Sequence, residues 1–285
     1  MNSIIGESAE AFVNFLFARF GGTFDAFSDT LSAGIGLLED GLAAIPFWAM
    51  LAAFVALGVW RRGVAFAVFV GLALAVIHLM GLWAPTVSTL ALVIAATVLS
   101  LAIGVPLGIW GARNDRAGPV LRSMLDFMQT MPAFVYLIPA VILFGLGRVP
   151  AVIATIVFSM PPVVRLTTLG IRQVRPELIE AGRSFGSTEW QLLWKVQLPN
   201  ALPSIMAGVN QTIMMALSMV VVSSMIGAGG LGEQVLIGIQ RLDIGIGFEG
   251  GLGVVLLAIV LDRLTETFGG GKVKKAQPAG RKRGI

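Results

Sequence analysis

Apolar runs, each close to the length of a bilayer-spanning helix, alternate along the chain with short stretches that carry nearly all of its charge. A helix needs about 20 predominantly apolar residues to cross the hydrocarbon layer. Seven runs approach that length: 43–60, 64–83, 86–111, 131–147, 149–165, 201–226 and 249–268. The pattern predicts an all-α integral membrane protein, a polytopic helical bundle of about seven transmembrane helices. Pro106, Pro132, Pro139, Pro150 and the pair Pro161-Pro162 punctuate the runs. Each frees a backbone carbonyl that a neighbouring helix must satisfy. Pro161-Pro162, just ahead of Arg165, is the expected hinge. Gly104 and Gly108 form a small-xxx-small pair suited to close helix contact.

Composition sharpens the class. The chain is 56% hydrophobic and 13% charged, with a mean hydropathy of +0.87; soluble domains carry about 25% charged residues. Cysteine is absent and His78 is the sole histidine, which removes disulfides, thiolate metal sites and most zinc chemistry. His78 is expected to be a packing residue. The start, MNSIIGESAEAF, lacks the basic region a cleavable signal peptide needs, so none is expected.

Charge placement predicts topology, because basic residues resist transfer across the membrane. With the N-terminus outside and the C-terminus in the cytoplasm, seventeen of the twenty basic residues fall inside, and Arg19, Arg148 and Arg241 remain outside. The net charge of +4 is therefore a topological signal, and no nucleic-acid partner is expected. The chain divides into an extracytoplasmic segment at 1–42, two accessory transmembrane helices at 43–83, a core at 84–268 and a basic cytoplasmic tail at 269–285. The first segment is acidic and could hold an amphipathic helix with Phe12, Phe15, Leu16 and Phe20 on one face. The tail suits an anchor near anionic headgroups.

Between the apolar runs lies one polar, amphipathic island, EAGRSFGSTEWQLLWKVQLP, from Glu180 to Pro199. Pro176 suits the first turn of a helix and Glu177 complements its dipole. Gly186 breaks that helix, Ser187 or Thr188 can cap a second, and Leu198-Pro199 is expected to end the second before the next span. Two short helices at a glycine elbow result, lying across the membrane face. Ala181, Gly182, Ser184 and Gly186 are small enough for a partner backbone to come close. Within the spans, Asn210, Met214 and Ser218 fall on one helical face and could line a path for a methylated cation or serve helix–helix contacts. Asp126 is expected to be solvated or paired with Arg122.

Other patterns carry no chemistry. GAGGLG at 227–232 matches a dinucleotide fingerprint in letters only, since no strand precedes it; an exit turn near the outer gate is expected. Gly271-Lys272-Val273 lacks the residues of a phosphate-binding loop, so the chain is not expected to hydrolyse ATP. No nucleophile–base pair is apparent either, and the chain is not read as an enzyme.

The order Glu-Ala-small, then Gly186, then Leu198-Pro199 resembles the EAA loop of ABC importer permeases. Gly182 stands where that family usually has alanine. The runs MQTMPAFVYLIPAVILFGLGRVPAVIATIVFSMPPVVRLTTLGIRQV (128–174) and NQTIMMALSMVVVSSMIGAGGLG (210–232) look like permeases of the glycine betaine/proline betaine/choline branch. This resemblance implies a loop at 177–199 that couples to an ATPase through Glu180, Ala181, Gly182, Arg183, Gly186, Leu198 and Pro199. It also implies a homodimer, two copies of a separate ATPase that uses ATP and Mg, and an extracytoplasmic binding protein that delivers substrate. No cofactor is expected on this chain. Choline is the first choice of substrate, ahead of glycine betaine and proline betaine. An ion-coupled or osmotically gated carrier or channel for the same solutes, and a permease for another small amine or amino acid, are the alternatives.

Overall fold

The computed structural model describes residues 4–269, with side chains outside 4–10, 12–14, 16–17 and 267–269. The expected tail beyond Gly269 and the side chains of Phe12 and Leu16 lie outside the described residues. Phe15 and Phe20, from the same expected face, are exposed.

Among the described residues every regular element is a helix. α1 (Ile4–Ala43) meets α2 (Phe47–Arg62) at 91°, where Pro46 has no N–H to continue the ladder and biases Ile45 away from helix. Gly63, at φ +93°, turns α2 back on α3 (Val64–Leu79). α1 is pinned to the bundle at three places. Ile35 is buried, Phe24 and Phe27 pack on Phe144, and Glu39 is bonded twice by Arg148, at 2.5 and 3.1 Å.

α4 (Trp83–Arg113) is a span of 31 residues that carries Pro106 within it. α5 (Ala117–Thr130) follows after Asn114, whose side-chain oxygen accepts from the N–H groups of Arg116 and Ala117. α5 and α6 (Ala133–Phe144) then meet at 97°. The expected straight span at 131–147 is thus corrected: Pro132 forces Met131 to an extended backbone (φ −75°, ψ 133°). α6 alone has 12 residues, too few to cross a bilayer. The Tyr136 hydroxyl donates to the Met128 carbonyl and closes the bend.

α7 (Arg148–Ser159) and α8 (Pro161–Arg172) run on as one span of 25 residues, past the expected end at 165. The two prolines occupy the first turn of α8, where missing N–H groups cost least. α9 (Pro176–Ser184) and α10 (Glu189–Leu192) form the elbow. α11 (Leu198–Ser223) follows α10 without a break, through a π-helical turn at Leu193–Gln197. Leu198-Pro199 therefore does not end the second short helix. Pro199 cannot return an N–H to the Lys195 carbonyl, and the ladder widens so that the Leu198 N–H reaches Leu193 instead.

Beyond α11, Gly227, Gly229 and Gly230 all have positive φ, and the turn they make leads into α12 (Leu231–Arg241) and α13 (Ile244–Gly269). α12 had no counterpart among the expected spans. The Leu231 N–H donates to Thr89 Oγ1 at 2.8 Å, which fixes the turn against α4.

By length and composition, four helical stretches can cross a membrane: Trp83–Arg113, Arg148–Arg172, Glu189–Ile226 and Ile244–Glu266. Each bent pair can supply one more, and α3 is a shorter apolar helix. Glycines set the packing distances. A Cβ at Gly104 would lie 2.5 Å from Val163 Cγ1, and one at Gly208 would lie 3.0 Å from Val163 Cα. α8 is thus held tightly between α4 and α11. The main apolar core joins Leu74, Ile77, Leu92, Val152, Leu217 and Leu257.

Candidate functional site

The elbow is built by two local devices. At the end of α9 the Ser187 N–H donates to the Gly182 carbonyl (3.1 Å) and the Gly186 N–H to the Arg183 carbonyl (2.9 Å). This is the Schellman pattern, which needs a left-handed residue, and Gly186 supplies it at φ +77°. Nothing lies within 4 Å of a Cβ built there, so the backbone angle rather than crowding selects glycine. Thr188 then starts α10 with a capping box: Thr188 Oγ1 accepts from the Gln191 N–H at 3.3 Å, and Gln191 Oε1 accepts from the Thr188 N–H at 2.9 Å. Arg183 spans the elbow to Glu189 at 3.1 Å.

Gly182 has a packing reason. A Cβ there would meet Leu192 Cδ1 at 2.7 Å, so the missing side chain lets α9 rest on the buried leucine of α10. The rest of the elbow is turned outward. α9 has no buried residue, and Phe185 is 91% exposed while Trp190 and Trp194 are each 62% exposed. Glu180 and Ala181 are exposed, and Glu180 makes no ion pair or side-chain hydrogen bond with any described residue. Arg113 stacks over the Trp190 ring at 5.0 Å. An apolar groove of about 730 Å³ runs beside it, lined by Pro106, Ile109, Trp110, Trp190, Leu193 and Trp194 among others. A short helix without buried residues, with an unpaired carboxylate and followed by the exposed rings of Phe185, Trp190 and Trp194, has the makeup of a docking surface.

The intramembrane candidates separate. Asn210 turns to α13: its Nδ2 donates to Asp262 Oδ1 at 3.2 Å and its Oδ1 accepts from the Thr265 hydroxyl. Ser218 is exposed and donates to the Met214 carbonyl at 3.0 Å, while Met214 is half-buried. Asn210 thus makes a contact between α11 and α13. His78 is exposed at the end of α3, stacked on Phe47 at 4.0 Å.

A second polar site was not anticipated. Between α5 and α8 lies a cavity of about 550 Å³, lined by Arg122, Ser123, Asp126, Arg165, Thr168 and Arg172 together with apolar neighbours. Asp126 pairs with Arg165 at 2.5 Å, not with Arg122. Arg172 donates to the Gly111 carbonyl at 3.0 Å, with Asp115 at 3.5 Å. Gly118 leaves the room for it, since a Cβ there would fall 2.8 Å from the guanidinium. The available signal was Asp126 itself, the one acid between Asp115 and Glu177.

Residues 104–269 match the family model described as "Binding-protein-dependent transport system inner membrane component". The chain is 56% identical over 215 residues to the glycine betaine/proline betaine transport system permease protein ProW of Escherichia coli. That alignment covers 75% of this chain and 61% of ProW, so the chain spans about three fifths of that relative's length. It is 44% identical over 273 residues to the glycine betaine transport system permease protein OpuAB of Bacillus subtilis, covering 95% of each. To the glycine betaine/carnitine transport permease protein GbuB of Listeria monocytogenes it is 48% identical, over 88% of this chain and 90% of that one. Among solved structures, the inward-facing MetNI methionine ABC transporter superposes with a TM-score of 0.56 at 23% identity, over 64% of this chain and 93% of that one. That likeness speaks for the fold alone.

Proposed function

The chain belongs to the family of binding-protein-dependent transport system inner membrane components, and from that premise we propose that it is the permease subunit of an ATP-driven importer for glycine betaine and related methylated zwitterions. The observation that supports the reading most is the elbow at Pro176–Gln197, anchored to its own chain through buried Leu192 and Leu193 while α9 buries no residue at all. Glu180, Ala181, Gly182, Arg183 and Gly186 form its contact with a separate ATPase. Leu198 and Pro199 join it to α11 without a break, so a push on α10 acts directly on a membrane span. Two copies of the chain, two of the ATPase and an extracytoplasmic binding protein make the working complex. The N-terminus lies outside and the C-terminus in the cytoplasm. ATP and Mg are used by the partner, and this chain is not the enzyme.

Glycine betaine takes precedence over choline because the three relatives compared above are all named for it. Asn210 serves the α11–α13 contact rather than the path. The test is uptake of labelled glycine betaine into vesicles holding the chain with or without its ATPase. Uptake that depends on the ATPase and on ATP is the expected result; equal uptake without the ATPase refutes the reading. Glu180→Lys should insert normally yet fail to retain the ATPase on purification, with uptake reduced at least ten-fold.

A further inference from the structure

The arginine-lined cavity between α5 and α8 holds charge beside an apolar stretch, since Arg165 lies within the candidate span Arg148–Arg172. At ~1.5 Å per residue, Arg165 stands roughly 10 Å up α8 from Arg172, and Asp126 roughly 15 Å along α5 from Arg116. Both side chains are nonetheless open, Arg165 to 44% and Asp126 to 58%. Ionisable residues within membrane spans face a bundle interior or a water-filled cavity rather than lipid. The face of α5 and α8 that bears this pair is therefore wet.

The charges in the cavity do not balance. Arg122, Arg165 and Arg172 line it, and Asp126 is the one carboxylate among the lining residues. Arg172 is held on the Gly111 carbonyl with Asp115 just outside the lining at 3.5 Å, and Arg165 is held on Asp126. Arg122 makes no ion pair or hydrogen bond with any described residue. A guanidinium without an anion, beside two others, is a ready acceptor site for a carboxylate, whose two oxygens match its fork of donors.

We propose that this cavity is a stretch of the solute path and a site for a small zwitterion, whose carboxylate meets Arg122 and Arg165 and whose cationic end meets Asp126. The ligand exchanges partners with the existing ion pair: Arg165 takes the ligand carboxylate in place of Asp126, and the freed Asp126 faces the ammonium. A net-neutral zwitterion enters such a positive cavity, whereas a simple cation such as choline brings no anion and is repelled. α8 leads straight from this site to the elbow, with Pro161-Pro162 at its far end, so displacement of the elbow moves Arg165 and Arg172 together. The proposal rests on the importer reading and adds to it the residues and charge type of the path.

The lack of cysteine gives a direct test in the reconstituted complex with its ATPase. Ser123→Cys, in the cavity, is compared with Leu72→Cys, on the exposed apolar side of α3, using a charged, water-soluble maleimide added on the elbow side. The Ser123→Cys chain should label at least ten times faster than the Leu72→Cys chain. Saturating glycine betaine should slow that labelling at least three-fold, and choline should not. In uptake assays, Arg122→Gln should raise the ratio of choline to glycine betaine transport at least five-fold, and Arg122→Lys should restore it toward the wild-type ratio. Labelling no faster than at Leu72→Cys overturns the proposal. So does labelling that glycine betaine leaves unchanged while added phosphatidylglycerol slows it, which would make the site a lipid headgroup pocket. If wild-type uptake remains ATP-driven in the same vesicles, only this site falls; if it does not, the importer reading falls first.

Discussion

Single glycines carry much of the specificity of this chain, for different physical reasons that predict different mutational outcomes. At Gly108 a Cβ would sit 2.6 Å from Thr167 Cβ and 2.8 Å from the Val164 carbonyl oxygen. The obstacle includes backbone, so Gly108→Ala must part α4 from α8 and should cost about 1–3 kcal/mol, read as a lowered unfolding midpoint of the purified protein in detergent. At Gly182 the obstacle is the far end of the Leu192 side chain. That end can turn aside, and alanine recovers up to about 1 kcal/mol of helix propensity, so Gly182→Ala should change the same midpoint far less. Gly186 was legible in advance because a glycine after a short helix signals a left-handed cap. The direction of Asn210 was not legible, because its partners Asp262 and Thr265 belong to a helix remote in sequence. Helical periodicity places a residue on a face without saying which neighbour that face meets.

At the scale of elements, apolar length located the long spans well, as α4, α11 and α13 show, but it could not see direction. An apolar run bent by 97° at Pro132 reads in sequence like a straight one. α12 was hidden for the opposite reason: Glu233, Gln234, Gln240 and Arg241 interrupt its apolar pattern, and its place depends on close approach of Gly238 to Gly247. α1 illustrates how a long terminal helix is held. Its exposed ion pair with Arg148 should contribute less than about 1 kcal/mol, whereas Ile35 is 1% exposed inside the main core. Glu39→Gln should therefore leave thermal stability nearly unchanged. Ile35→Asp, which buries a carboxylate without a partner, should lower it by several kcal/mol and release α1 to limited proteolysis. Equal effects of the two substitutions would mean that the ion pair, rather than apolar burial, docks α1.

At the scale of the whole molecule, contacts within the chain sort its charges independently of any membrane. Arg62 is paired with Glu266, Arg113 lies over Trp190 of the elbow, and Arg172 reaches Gly111 and Asp115. The first contact joins the ends of α2 and α13, and the other two join the ends of α4 and α8 to each other and to the elbow, so the basic residues Arg113 and Arg172 gather beside it. Arg148 and Glu39 pair elsewhere, where α7 begins. Arginines gathered beside the elbow bias how the chain enters a bilayer, since Lys and Arg in short loops are retained on the cytoplasmic side. The elbow is covalently part of that cluster, so orientation and access of the proposed ATPase are one question rather than two. Ser187→Cys, on the elbow, and Leu242→Cys, 88% exposed between α12 and α13, separate the two orientations. In intact cells an impermeant thiol reagent should modify the Leu242→Cys chain and spare the Ser187→Cys chain, and inside-out vesicles should reverse the pattern. Modification of Ser187→Cys from outside intact cells would put the elbow beyond the reach of cytoplasmic ATP, and with it would go the proposed coupling, whatever the sequence likeness to importers.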